Sequence, residues 1–204
     1  LKEKMVNPHF LVVCPVSLLE NWKREIAKFY PSLIVNVHYG SKRTGDYRTL
    51  LNYDVNIMSY GNAITDSGLL TMVKWNALVI DEAQNIKNPM AKRTKAVKRI
   101  KCDVPIAITG TPFENHMTDI WSLVDYILPG FLGSLSLFES TFSDDIPSAI
   151  KLEKIISPLI LRRRVADVAK ELPRRIDIPL PITMSNEEAM LYEDCRKVEN
   201  VQDA

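Results

Sequence analysis

The chain has 204 residues, 46% hydrophobic and 25% charged, the balance of one water-soluble domain with a sizeable core plus a fragment of another. With 26 Lys and Arg against 25 Asp and Glu the formal net charge is +1, which excludes a globally basic nucleic-acid binder and leaves only a local patch for such a partner. No apolar run approaches the roughly 18 residues of a membrane span, the three cysteines (Cys14, Cys102 and Cys195) show no zinc or disulfide spacing, and a reduced intracellular setting without a membrane partner is expected. The opening leucine suggests a piece of something longer.

In chain order, short apolar runs alternate with amphipathic stretches, the pattern of a parallel sheet covered by helices. Phe10 to Cys14 is the first strand, closed by Pro15. Ser17 reads as an N-cap, with Glu20 completing a capping box, and the helix that follows turns Leu18, Leu19, Trp22, Ile26 and Phe29 inward. Further strands are expected at Ile34 to Tyr39, Val55 to Ser59, Ala77 to Ile80 and Ile106 to Thr109, five in all. A helix with proline in its first turn is expected between Pro89 and Ile100, and another from Asp119 to Leu128, ended by Pro129-Gly130. Residues 131 to 172 read as short helices, and Pro173, Pro179 and Pro181 confine the stretch that follows to an edge strand or linker. Ser185 and Glu188 form a second capping box that opens a C-terminal helix.

The chemistry gathers where the apolar strand Ala77 to Ile80 delivers Asp81-Glu82-Ala83-Gln84 to the carboxyl edge of the sheet, the edge at which open α/β folds bind ligands. One acid at such a strand end suits magnesium, and its neighbour suits the orientation of an attacking water. An adjacent acidic pair is equally an ordinary solvated turn, so the pair does not decide alone. A second strand, Pro105 to Ile108, ends in Thr109-Gly110-Thr111-Pro112, a tight turn of small residues beside the first site.

Together, Asp81 to Asn88 (DEAQNIKN) and Thr109 to Asn115 (TGTPFEN) resemble motifs II and III of the Swi/Snf-like family of helicase superfamily two. The segment Leu11 to Ser17 with Asn21 and Trp22 resembles motif Ia, and Ile57 to Tyr60 resembles motif Ib. Downstream, Trp121-Ser122-Leu123, Pro129-Gly130, Leu161-Arg162-Arg163 and Leu172-Pro173 keep the family's order, so the resemblance covers about residues 9 to 193. Phe113 stands where the family commonly has an aliphatic residue.

This resemblance implies an α/β, RecA-like first lobe over residues 1–130, a helical protrusion and connector over 131–174, and the start of a second RecA-like lobe over 175–204. It implies Asp81 and Glu82 as the catalytic pair, Asp81 holding the metal, with Gln84, Thr109, Gly110 and Thr111 coupling nucleotide state to the rest of the motor. Ser17, Asn21, Ser59, Tyr60 and Lys87 would lie toward DNA. The implied cofactors are ATP and magnesium, the implied partners double-stranded DNA and the proteins bound to it, and the implied location cytoplasmic (nucleoid) or nuclear. The implied activity is that of a DNA-dependent ATPase which translocates and remodels. A helicase or restriction-type translocase of the same superfamily is the nearest alternative, and a non-hydrolysing DNA-binding or interaction module the more distant one.

Two departures bear on activity. The phosphate-binding loop, Gly-x-x-x-x-Gly-Lys-Ser/Thr, does not occur; Gly40 and Gly45 have its spacing, but Asp46-Tyr47 follow where Lys-Ser/Thr is required. The arginine-bearing motif of the second lobe is likewise missing, so the 204 residues alone are expected to be inactive. The basic run Lys87, Lys92, Arg93, Lys95, Lys98, Arg99 and Lys101 suits phosphate contact or a solvated helix face with Ala91, Val97 and Ile100 inward. Arg162 to Arg164 suit DNA or carboxylates on the one hand and plain packing on the other, and His9, His38 and His116 read as structural or exposed.

Overall fold

In a computed structural model of the chain, the described residues are 8–110, 116–163, 178, 180–181 and 184–193. They fall into two compact units, Leu1–Ile160 and Leu161–Ala204.

In the first unit, strands β1 (Phe10–Cys14), β2 (Val35–Val37), β3 (Val55–Ser59), β4 (Trp75–Asp81) and β5 (Cys102–Ile108) form one parallel sheet in the order β2-β3-β1-β4-β5. The chain crosses over after each strand through helical segments: α1 (Leu19–Phe29), α2 (Tyr47–Leu50), α3 (Tyr60–Thr65), α4 (Ser67–Thr71) and α5 (Lys92–Arg99). Such crossovers bury both faces of the inner strands, which is why β1 reads as a continuous apolar run and every residue of β3 is buried. The five expected strands are all present; β2 is shorter than expected because a tight turn, Tyr39 N–H to Val37 O at 3.0 Å, follows it. Strand β5 begins earlier than expected, running through Pro105, a residue an edge position tolerates since no partner needs its missing N–H.

One side of the sheet packs Leu11, Val13, Met58, Leu78 and Ile80 against Ala63, Leu70, Val97 and Leu123 from the helices. The other side packs Val12, Cys14, Val55 and Ile57 against Leu19, with Trp22 and Ile26 partly buried. Helix α6 (Met117–Ile127) is pinned to β4 and to the turn after it by two buried hydrogen bonds: Tyr126 donates to the Leu78 carbonyl at 2.8 Å and Ser122 to the Ile86 carbonyl at 2.6 Å. Its other face, with Ile120, Trp121 and Val124, carries a separate small core shared with Phe138 of α7 (Leu135–Thr141) and Leu152 and Ile156 of α8 (Ile146–Ile156).

Three local expectations are corrected. Ser17 is no N-cap: Pro15 opens a 3-10 turn, Val16–Leu18, that runs straight into α1, and backbone bonds such as Leu18 N–H to Pro15 O satisfy the first donors without a side chain. Phe29 at the end of α1 points outward and is 71% exposed. Pro89 precedes its helix, because Asn88 Oδ1 captures the Met90 N–H at 2.9 Å in a turn and α5 begins only at Lys92. Val97 on α5 and Ile100 just after it are buried as expected, along with Thr94 and Ala96, whereas Ala91, before the helix, is half-buried. The glycine pair is a turn, in which Gly40 supplies a φ of +60° and Asp46 caps α2 by accepting from Arg48 N–H.

In the second unit the described residues include a helix over 186–193, opened by the expected capping box: Glu188 N–H donates to Ser185 Oγ at 3.3 Å and Ser185 N–H to Glu188 Oε2 at 2.8 Å. The expected edge strand near 173–184, Arg164 and Cys195 lie largely or wholly outside the described residues. Among the described residues no helix is long and apolar enough to cross a membrane.

Ile57 and Phe29 make opposite predictions. Ile57→Ala, at a fully buried site, should lower the unfolding free energy by about 2–5 kcal/mol. Phe29→Ala should change it by no more than about 0.5 kcal/mol, both read by chemical denaturation.

Candidate active site

The register fixes which residues reach the carboxyl edge together. β1 and β4 end level, since Val13 pairs with Ile80 and one residue follows in each strand, Cys14 and Asp81, and Asp81 lies opposite Ile108 on β5. Asp81 therefore stands at the edge between the end of β1 and the turn that follows β5.

Asp81 is half-buried, and each of its oxygens accepts one hydrogen bond: Oδ1 from the Glu82 N–H and Oδ2 from the Trp22 indole N–H, both at 2.8 Å. A carboxylate has about four acceptor positions, so each oxygen retains one. Among the described residues no group of three or more His, Cys, Asp or Glu is arranged to hold a metal. A lone carboxylate with spare acceptor capacity suits magnesium, which keeps most of its water and takes one or two carboxylates plus phosphate oxygens.

Glu82 is the one non-glycine residue with positive φ among those described, at φ 51° and ψ 53°. A left-handed non-glycine residue costs about 1–2 kcal/mol. The neighbours hold it there: Asn85 donates to its carbonyl from both its backbone N–H, at 3.0 Å, and its side-chain amide, at 2.9 Å. After this step the chain enters a 3-10 turn, Ala83–Ile86.

The Glu82 side chain is the start of a bonded line. Gln84 Nε2 donates to Glu82 Oε2 at 2.7 Å, and Thr109 Oγ1 donates to Gln84 Oε1 at 2.8 Å. The line runs from the end of β4 to the end of β5, and the opposed polarities of the amide leave no choice of its orientation. Gly110 is exposed beyond it, and Thr111 lies outside the described residues.

Ser59 and Tyr60 are turned inward. Ser59 caps α3, accepting from Asn62 N–H at 3.1 Å and donating to Asn62 Oδ1 at 2.7 Å. Tyr60 donates its hydroxyl to the Asp81 carbonyl at 2.8 Å; burial, and then the Asp81 charge, raise its pKa, so it stays a donor. Ser17 and Asn21 are exposed on the 3-10 turn and first turn of α1, and Lys87 is half-buried just after the acidic turn. In the basic run, Lys98 is bound to Asp125 at 2.7 Å and lies over Trp121, and Arg93 donates to Asn85 Oδ1 at 2.8 Å; Lys92, Lys95, Arg99 and Lys101 are exposed.

The structure thus assembles Asp81, Glu82, Gln84, Thr109 and Tyr60. It adds Trp22, which the sequence placed on the inward face of its helix and within the motif Ia resemblance but without a role at the acids; its indole N–H, a donor that a half-buried site must satisfy, was the available signal. Cys14 is close by, but burial, and then the Asp81 charge, push its pKa up to about 12, so it remains a thiol and no nucleophile. A cavity of about 610 Å³ opens at the opposite, amino end of β5, beside Cys102 and Asp103, and does not reach the acidic turn.

Comparison with known proteins bears on this site. The model of the SNF2-related domain family matches residues 1–204. An uncharacterized ATP-dependent helicase of Mycoplasma genitalium, MG018, is 40% identical over 187 residues, 90% of this chain and 18% of that protein. The chromatin-remodeling ATPase INO80 of Gibberella zeae is 30% identical over 218 residues, 95% of this chain and 11% of that protein. Among solved structures, the Sulfolobus solfataricus SWI2/SNF2 ATPase core in complex with dsDNA superposes with a TM-score of 0.73 at 39% identity, covering 99% of this chain and 43% of that chain. The chain spans about a fifth, or less, of the length of the curated relatives it matches.

The strained step at Glu82 predicts a trade between stability and chemistry. Glu82→Gly should raise the unfolding free energy by up to about 1 kcal/mol, as glycine adopts this backbone freely. Glu82→Ala should give no such gain in the same denaturation experiment.

Proposed function

The chain belongs to the family of SNF2-related domains, and from that premise we propose that it supplies the water-activating half of an ATP-driven motor that moves along duplex DNA and remodels the proteins bound there. The observation that carries this reading is the bonded line from Glu82 through Gln84 to Thr109. A solvated acidic turn has no need of an amide and a hydroxyl set in series behind one of its carboxylates.

In this reading Glu82 orients the attacking water and draws off its proton, using the oxygen that Gln84 leaves free. Asp81 would hold the metal, whose charge, when bound, offsets that developing on the β- and γ-phosphates. Gln84 registers the state of Glu82 and passes it to Thr109, and so to the segment after β5 that includes Gly110 and Thr111. Ser17, Asn21 and Lys87 face the DNA backbone, whereas Ser59 and Tyr60 serve it indirectly, by holding the frame. Hydroxyl, amide and ammonium groups contact phosphates without reading bases. The separate core of α7 and α8 supports a helical protrusion over residues 131–174, with 175–204 opening a second lobe. The dsDNA in the archaeal structure and the remodeling ATPase among the relatives support the choice of partner.

Two predictions separate this motor from an inert module, both in a full-length motor that contains this sequence. Glu82→Gln should leave ATP binding intact and lower hydrolysis roughly 100-fold or more, while Asp81→Asn should weaken both and recover in part at higher magnesium. Equilibrium nucleotide binding and steady-state hydrolysis read the contrast; hydrolysis at the parent rate by Glu82→Gln would leave the acidic turn as a mere surface feature. Duplex binding should be indifferent to sequence and weaken steeply with salt, as phosphate contacts release counterions. Titration of two unrelated duplexes at two salt concentrations tests it, and a sequence preference that survives high salt would count against it.

A further inference from the structure

Thr94 of α5 and Ser122 of α6 hold the far end of the turn at Ile86, and the acid pair itself is reached from outside β4 and the turn by side chains of three elements. Thr109 reaches it through Gln84, and Tyr60, at the start of α3, holds the Asp81 carbonyl. The third is Trp22 on α1, the only one that bonds directly to the Asp81 carboxylate.

Helix α1 is lightly seated. Leu19 is its one fully buried residue, its N-terminus has no side-chain cap, and Trp22 and Ile26 are partly buried. An element with few buried contacts shifts at low cost. The residue before Trp22 is Asn21, exposed beside the turn that carries Ser17. One short helix thus presents phosphate-contacting groups to solvent and, one residue on, an N–H to the metal-holding carboxylate.

We propose that Trp22 is a positioning residue that couples duplex binding at α1 to the acid pair. DNA phosphates seated against Ser17 and Asn21 hold α1 where the indole donates to Asp81 Oδ2. That bond fixes the rotation of the carboxylate, and the lone pairs it leaves then face one direction. Without the indole donor the carboxylate is held at Oδ1 alone, by the Glu82 N–H, so Oδ2 is no longer fixed and seating of DNA no longer reaches the site. This inference rests on the motor reading given above.

The test uses a full-length motor that contains this sequence. Trp22→Phe keeps a ring and removes the N–H. Loss of a hydrogen bond to a charged group predicts that DNA stimulation of hydrolysis falls about ten-fold or more, with part of the deficit recovered at higher magnesium. Duplex affinity measured without nucleotide should stay within about three-fold of the parent. Stimulation equal to the parent's overturns the proposal, and so does a loss of stimulation matched by an equal loss of duplex affinity, which would make Trp22 a support for α1 and nothing more. Glu82→Gln in the same series keeps the two ideas apart: if it hydrolyses ATP at the parent rate, the motor reading fails, whatever Trp22 does.

A measurement on the 204-residue chain needs no variant, and decides if Trp22→Phe does not fold. The chain has three tryptophans, of which Trp75 and Trp121 are buried at 0% and 9% exposure. Labelled with 5-fluorotryptophan, it should show one 19F signal that shifts when duplex DNA alone is added. No shifted signal overturns the proposal.

Discussion

Two adjacent carboxylates at the end of one strand would, with ordinary extended backbone, continue the alternation of the strand and diverge to opposite faces of the sheet. The left-handed step at Glu82 breaks that alternation. It ends β4 and starts the 3-10 turn within one residue, so the Asp81 carboxylate meets α1 while the Glu82 carboxylate meets Gln84 and, only through it, Thr109 after β5. Everything else in the site follows from this separation. The strain persists because Asn85 bonds the Glu82 carbonyl twice, and α6, through Ser122, holds the end of the same turn at the Ile86 carbonyl. A strained residue over-determined by its surroundings is the signature expected of a site that must be organised before its ligand arrives.

The sheet explains why that organisation is rigid. β4 is flanked on both sides by parallel partners, and Leu78 and Ile80 are wholly buried under helices. Tyr126 satisfies the Leu78 carbonyl from α6, so strand and helix are joined by a polar bond inside an apolar core. Breaking it would leave the buried Tyr126 hydroxyl without its acceptor, a larger loss than the bond itself contributes. The edge that carries the acids is therefore the end of a strand held on both sides, whereas α1, which touches Asp81, buries Leu19 alone.

Much of this was legible in the sequence. The strand positions followed from apolar runs of the length that a doubly covered sheet demands, and the acids from where one such run stops. The DEAQ and TGTP segments were recognisable as a pair, and the line Glu82–Gln84–Thr109 is the physical form of that pairing. Ser17 was misread because a capping box is a local rule, and Pro15 offers the backbone a different local solution, a 3-10 turn. Phe29 was misread since the helical periodicity extends beyond the sheet that α1 covers. No rule of spacing reveals the Trp22–Asp81 bond, which joins residues on elements 59 positions apart and depends on how the helix rests on the sheet.

Ser59 and Tyr60 show how resemblance and geometry divide the work. Motif-level likeness puts Ser17, Asn21, Ser59 and Tyr60 toward DNA as one set, yet their hydroxyl and amide groups meet different fates. Ser59 and Tyr60 are buried, and their oxygens are committed to Asn62 and Asp81. A group already bonded inside a low-dielectric core gains little by exchanging that partner for a solvated phosphate. The exposed Ser17 and Asn21 bear no such commitment to the interior and lose only water on contact. In the proposed motor the two pairs therefore form an exposed outer layer, placed to meet phosphate, and a buried inner layer behind it. Trp22 belongs to the inner layer and, unlike the others in it, sits on the same helix as part of the outer one.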